Sequence, residues 1–490
     1  MPLDSRTPVL VGVGAVSQHE DDPARAREPV ALMMQALEHA ADDAGSRALL
    51  ARADSIRAPR GFWSYPDPCR LIAERFGASA ARTEVAEIGV LQTALLGRAA
   101  ADIAAGRADV VLVAGGEARR RSQRARAAGI EAHLTQQSSV SPDSVLRPHA
   151  AIVSEREIRA GLARPVTQYA MIDNAMRAAE GISVDAHRRA IAALWAAFSE
   201  VAAGNPEAWS RESVSEKAIL DPVRNPMLAF PYGRLHCSQW NVDQAAGLVF
   251  CSVATARALG IARERWILPL AVADANHMLP LSERRLLHRC PGFARAAERA
   301  LAHAGRDLAD VTHLELYSCF PAAVRAQVRE LGLASDRPLT VTGGMRFAGG
   351  PLNHFALQSL VQLAQLLRAA PGSTGLLTAV SGVLTKQGVS LWSSDPGAAP
   401  FAHDDVSEAT ARESAAMEIA DPAPGPARVA TYTVVYEGSE PKRALLVADG
   451  EDGRRMLASS DDAAFVEAAT REELCGRAVR IAAGGEASAA

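Results

Sequence analysis

Long apolar runs that do not alternate with polar residues recur along this chain, separated by segments of helical periodicity. "PVLVGVGAV" (8–16) is β-branched and continuous, the pattern of a strand buried on both faces. "EPVALMMQALEHAADDAG" then shows helical spacing and closes on Gly45, a residue suited to a helix C-cap. The pattern next predicts a short strand near 82–88, a helix over 91–106 and a buried strand over 108–117. Strands alternating with helices predict an α/β fold with largely parallel sheets.

The same order returns later. Residues 293–305 predict a helix, 310–318 a strand, 351–372 a helix and 374–382 a strand. The spans from Gly45 to Gly106 and from Gly305 to Gly372 are similar, which suggests a duplicated unit. Both second helices, 91–106 and 352–370, lack a clean polar face. In the latter, Phe355, Leu357, Leu360, Val361, Leu363, Leu366 and Leu367 surround the axis. A helix that is apolar nearly all round is buried on every side. Two such helices predict a middle layer between two sheets, hence a five-layer α/β/α/β/α arrangement.

Residues 120–240 interrupt the first half, with helices predicted at 167–180 and 185–203. An insertion of this length usually covers a site. A composition shift begins at "SSDPGAAP" (393–400), and "DPAPGPARV" (421–429) reads as a stiff connector. Beyond it, short strands with a tight Asp452–Gly453 turn predict a small β-barrel domain. The expected organisation is 1–119 with 241–265 as a first half, 120–240 as an inserted loop domain, 266–396 as a second half, and 397–490 as linker and β domain. The final "GGEASAA" is expected to be disordered.

With 490 residues, 48% hydrophobic and 22% charged, the composition is that of a soluble globular protein of more than one domain. A net charge of −4 gives no overall pull toward nucleic acid or anionic membrane. The apolar run near the N-terminus is too short to span a bilayer and lacks a cleavage signal, so a secretory leader is not expected. Six scattered cysteines without a CxxC pair argue against a zinc site and a disulfide framework, and fit a reducing cytoplasm. One basic cluster, "ARRRSQRARAAG" (118–129), is either a solvated loop or a grip for ligand phosphates.

Four stretches in this order and spacing resemble the thiolase superfamily over roughly residues 6–395: "GRADVVLVAGGEA", "MLAFPYGRLHCSQWNVDQAAGLVFCSVATARALG", "LELYSCFP" and "GGMRFAGGPLNHFALQSL". More narrowly the chain resembles thiolase-like proteins with an additional C-terminal β domain of OB type. The resemblance implies a duplicated thiolase fold and an acetyl-CoA acetyltransferase-like context in acyl-CoA lipid metabolism. CoA or acyl-CoA would be substrate or ligand, with no tightly bound cofactor and no metal. It also implies a nucleophilic cysteine at the start of the first buried helix, where the helix dipole lowers a thiol's pKa. Here Gly89 and Val90 stand at that point. The Gly-His-Pro turn of the family is matched by Gly350 before Pro351, the asparagine motif by Tyr317, and a second cysteine by Val380, leaving Gly382 as a backbone donor.

The remaining candidates are few. Cys319 is either a relocated nucleophile or a packing residue. Tyr317 is either a hydrogen-bond donor to a thioester oxygen or the cap of a core strand. His354, one helical turn beyond Gly350, shares a face with it if the helix begins by 350; it is a base or a core histidine. Gly89, Val90, Gln92, Gly350, Asn353, Gly382 and Lys386 are expected around the substrate, Lys386 alternatively being a surface charge. His236 and Cys237 read chiefly as structural, while His277, which follows a strand, is a candidate for lining the cleft. The expected function is a CoA-thioester protein with non-covalent chemistry such as retro-aldol cleavage; the alternative is a non-catalytic CoA-ester-binding or scaffold protein. Either a homodimer or a monomer is compatible, since the tail domain can block the superfamily's usual dimer contact.

Overall fold

The computed structural model describes residues 3–138, 140–334 and 336–490. Two mixed sheets enclose a pair of central helices. The first sheet runs Pro8–Ser17, Asp243–Ser252, Val110–Ala118, Ser55–Pro59, Arg82–Ala86, Ser144–Leu146; the second runs Val311–Glu315, Thr374–Ser381, Lys386–Ser393, Leu268–Ala275, Ala402–Asp405. The first is parallel at three of its five strand pairings and the second at two of its four, so both are mixed where strand–helix alternation suggested largely parallel sheets. Asp243–Ser252 is antiparallel to both its neighbours, as Lys386–Ser393 is to its own. The long insertion brings the first of these strands in from a distance, and a hairpin brings the second.

The central helices are Gln92–Ala104 and Phe355–Ala369. Leu96 and Ile103 of the first and Leu357, Leu360, Leu363 and Leu367 of the second join one cluster with Val13, Val111 and Phe250 of one sheet and Leu377 and Trp392 of the other. Pro29–Asp43 covers the outside of the first sheet, and Gly292–Ala304 that of the second. This is the five-layer thiolase arrangement. Ser55–Pro59 and the helix Pro68–Phe76 lie in a stretch for which the apolar pattern had given no element. The second central helix starts at Phe355 and not at 351, so Gly350 and His354 do not share a helical face.

The basic cluster is not a solvated loop: Arg119–Ala127 is a helix, and Arg119 is sandwiched between Trp240 (3.8 Å) and Phe62 (4.7 Å). The insertion's helices Pro165–Glu180 and Val184–Gly204 are tied to the second half through Asp173. That carboxylate is fully buried and accepts from the Tyr232 hydroxyl at 2.6 Å, with His187 Nε2 at 3.1 Å and Arg325 as further partners. Burial alone would raise its pKa, but Arg325 and His187 outweigh burial and hold it far below the carboxylate range.

The segment after 396, expected as linker, first adds the strand Ala402–Asp405 to the second sheet. The C-terminal sheet then runs Arg455–Ser460, Glu440–Gly450, Gly425–Glu437, Ala478–Ile481, Ala487–Ala489. Its last strand lies in the tail expected to be disordered; pairing with Ala478–Ile481 orders it. Ser459 bridges Glu486, so the two ends of this sheet meet at one point. The insertion grips the domain through Arg177, which is fully buried. It donates to both Glu473 oxygens (2.9 and 3.0 Å), to Tyr432 Oη (2.9 Å) and to Asn174 Oδ1 (2.6 Å).

Removing one partner of a buried ion pair costs about 3–5 kcal/mol, because the other charge is left uncompensated. Because Glu473 is 34% exposed and water can solvate it, Arg177→Met is expected to lower unfolding stability by less than that amount and to raise amide exchange in Gly425–Glu437 ahead of the central helices, read by urea titration and hydrogen exchange.

Candidate functional site

The first central helix begins without a side-chain cap, after a turn in which Gly89 adopts a left-handed φ of 105°. A Cβ at Gly89 would stand 3.0 Å from Pro148 and 3.1 Å from Ile152, so the insertion lies directly over the turn. The Val90 N–H donates to the Glu87 carbonyl at 3.1 Å and is not a free oxyanion donor. The Gly89 carbonyl accepts from Ser381 Oγ at 3.3 Å and from Lys386 Nζ.

Lys386 is not a surface charge. It is buried on the strand Lys386–Ser393, burial lowers its pKa, and Asp274 opposes that shift. Beside it lies a cavity of about 310 Å³ whose walls include Val90, Arg98, Arg147, Asp274, Lys386 and His403. Asp274, also buried, accepts from Thr93 Oγ1 at 2.5 Å and is paired with His403 Nε2 at 2.8 Å. A carboxylate in an otherwise apolar strand requires such partners. The arrangement offers an Asp–His pair and a buried amine next to Val90.

Tyr317 and Gln92 lie at the junction of the two central helices. Tyr317 is half-buried; its N–H donates to Thr378 Oγ1 at 2.8 Å and its carbonyl accepts from Gln327 Nε2 at 2.8 Å. Burial raises the pKa of its phenol, which faces the Gln92 side chain. Gln92 Oε1 in turn accepts the Ala356 N–H at 2.6 Å, joining the two central helices at their N-termini. Cys319 lies against Tyr169, and burial pushes its thiol up to about 12. Neighbouring Cys237 is likewise pushed up to about 12. Both thiols are protonated at neutral pH, the inert state for a nucleophile.

The Gly349–Gly350 turn is shaped by close packing and not for a phosphate. A Cβ at Gly349, where φ is 101°, would fall 1.9 Å from Gln244 Oε1. The Gly350 N–H donates to the Gln239 carbonyl at 2.8 Å, and a Cβ there would stand 3.0 Å from both the Met345 carbonyl and Ser238 Cβ. Asn353, at φ 62°, donates to the Arg60 carbonyl at 3.2 Å. His354 occupies the helix N-cap, packed on Gly115, and neither ring nitrogen has a hydrogen-bond partner. Gly382 opens a turn in which Val383 and Leu384 also have positive φ (59°, 53° and 69°), a conformation β-branched residues rarely adopt.

Tyr317, Gln92 and Cys319 are neighbours, as are Val90, Lys386, Asp274 and His403, and Tyr317 packs edge-on against Phe355, the residue after His354, at 6.0 Å between ring centroids. Asp274, Thr93, His403 and Arg147 were missed from the sequence. Asp274 carried a signal, a lone acid ending "LPLAVADA"; His403 carried none, standing in a segment read as linker.

Burial pushes the His354 pKa down to about 3. The unfolded chain takes up that proton near the ordinary value of about 6.5, so this residue's contribution to stability stands in full above that pH and is lost as pH falls toward 3. His354→Leu is expected to flatten the stability–pH slope between about 6 and 4, measured by denaturant titration. His236, also pushed to about 3, retains its own share in the variant.

Residues 405–486 match the family model of the thiolase-like protein type 1 additional C-terminal domain. A crystal structure of a monomeric SCP2-thiolase-like protein type 1 from Mycobacterium smegmatis is 30% identical, with a TM-score of 0.84 and a match covering 100% of both chains. An Ltp2–ChsH2(DUF35) aldolase shares the fold at 18% identity and a TM-score of 0.60, over 79% of this chain and 98% of that one. A 3-ketoacyl-CoA thiolase from Shewanella baltica is 27% identical over 180 residues, 36% of this chain; the match spans 43% of that relative's length.

Proposed function

Because the chain belongs to the SCP2-thiolase-like protein type 1 family, we propose that it binds an acyl-CoA thioester at the N-terminus of the first central helix and forms no acyl-enzyme. The observation that carries this reading is Val90 at the position of the nucleophile, beside a cavity lined by Lys386, Asp274 and His403. Arg98 and Arg147 on the same cavity suit the charge of a CoA phosphate.

A reaction compatible with such a site is retro-aldol cleavage of a β-hydroxyacyl-CoA. The β-hydroxyl loses its proton, the Cα–Cβ bond breaks, and its electron pair passes to the thioester as an enolate that is then protonated. No bond to the protein forms. The Asp274–His403 pair supplies a proton acceptor, and Lys386 a positive charge for the enolate. The fold shared with an aldolase supports this reaction class. The alternative, a CoA-ester-binding protein without turnover, is favoured by one observation: burial holds the Cys319 thiol, pushed up to about 12, and the His354 imidazole, pushed down to about 3, in their neutral forms.

Incubation with acetyl-CoA followed by intact mass is expected to show no acyl adduct, whereas thermal-shift titration with CoA and acyl-CoA is expected to stabilise the protein. Arg147→Ala, at an exposed position, is expected to weaken CoA-ester binding about tenfold with unchanged melting in the absence of ligand. A panel of β-hydroxyacyl-CoA substrates, with His403→Ala as control, separates turnover from binding alone; no shift with any CoA ester refutes both readings.

We also propose a monomer, in line with the relative from Mycobacterium smegmatis. Sedimentation is expected at the 51.7 kDa of one chain.

A further inference from the structure

Arg284 is buried (5% exposed), yet among the described residues no carboxylate pairs with it. Its Nε donates to the Leu279 carbonyl at 3.1 Å, and Nη2 to the carbonyls of Val383 (2.6 Å) and Gly382 (3.4 Å), beneath the turn of three positive-φ residues. Nη1 has no partner. Glu157, the nearby acid, is engaged by the N–H and hydroxyl of Ser282 at 2.7 and 2.8 Å. A buried guanidinium left without an anion is among the costliest arrangements in a protein interior.

The guanidinium lines a cavity of about 70 Å³, separate from the one beside Val90. Two more buried polar atoms without partners belong to residues lining it: Gln387 Oε1 and His277 Nε2. Cys290 and Pro291, which lead into the thirteen-residue helix Gly292–Ala304, line it as well, so the positive end of that helix dipole adds to Arg284. Leu279 and Leu384 form apolar wall.

We propose that this cavity binds a small monocarboxylic acid bearing a hydroxyl. Its carboxylate takes Arg284 Nη1, and its hydroxyl donates to Gln387 Oε1. Of the other arginines on the cavity, Arg289 is paired with Glu330 and Arg285 is solvent-exposed, so the buried charge to be matched is that of Arg284, by one carboxylate, and the leucine wall disfavours a dianion. The volume holds about five water-sized spheres, hence a ligand of about five heavy atoms. The site is also wired to the C-terminal domain, because Arg455 of the strand Arg455–Ser460 donates to the Arg284 carbonyl.

The full-length protein is titrated with glycolate, acetate, inorganic phosphate and chloride at matched ionic strength, by calorimetry and thermal shift. Glycolate is expected to bind saturably, acetate several-fold more weakly for want of the hydroxyl, and phosphate and chloride not at all. Leu286→Trp, at an exposed position on the cavity's mouth, is expected to weaken glycolate at least tenfold while melting as wild type does; Arg284→Met should abolish binding. Glycolate no better than chloride, phosphate tighter than glycolate, or equal glycolate affinity in Leu286→Trp and wild type would each overturn the proposal. The thioester reading does not depend on this result, since its ligand and its cavity are different.

Discussion

The hydrogen bond from the Ala356 N–H to Gln92 Oε1 fixes where the two central helices begin relative to each other. Everything around the candidate site is placed by that junction. Each helix is apolar nearly all round, so neither holds an orientation by an amphipathic stripe alone; the sheets on both sides and this one polar contact set it. Gln92 is itself buried, and a buried amide is stable only where its hydrogen bonds are made. The N-termini, with the turns that precede them, are therefore held as one rigid unit against which the insertion and the 317–319 loop close.

Much of the fold was legible in the sequence because burial on both faces writes continuous apolar runs. Pro8–Ser17, Val110–Ala118 and Thr374–Ser381 are such runs, and each is a strand buried along nearly all its length. Ser55–Pro59 was not, because "SIRAP" mixes a buried arginine, whose partners Glu84 and Asp102 lie elsewhere in the chain, with residues of weak strand preference. The ends of elements were least legible. "GGPLNH" looks like the opening of a helix, but a left-handed Asn353 and a non-helical His354 (φ −134°) delay it to Phe355.

Local patterns were the legible part of the site. The resemblance drew attention to Val90 and Gly350 because motifs are short stretches of sequence. The Asp274–His403 pair was not legible, because it joins the end of one strand to a segment 129 positions away that its composition marks as connector. Charged networks of this kind are specified by tertiary contact, and no periodicity records them. The same holds for Asp173 and Arg177, each buried in a helix that reads as ordinary and each partnered outside it.

The crowding at Gly350 couples this turn to a distant segment. Ser238 Cβ and the Met345 carbonyl each stand 3.0 Å from where a Cβ would be, and the Gly350 N–H is bonded to the Gln239 carbonyl. Any side chain here requires those neighbours to give by a few tenths of an ångström, so a change at the turn has to be matched by a change at 238–239.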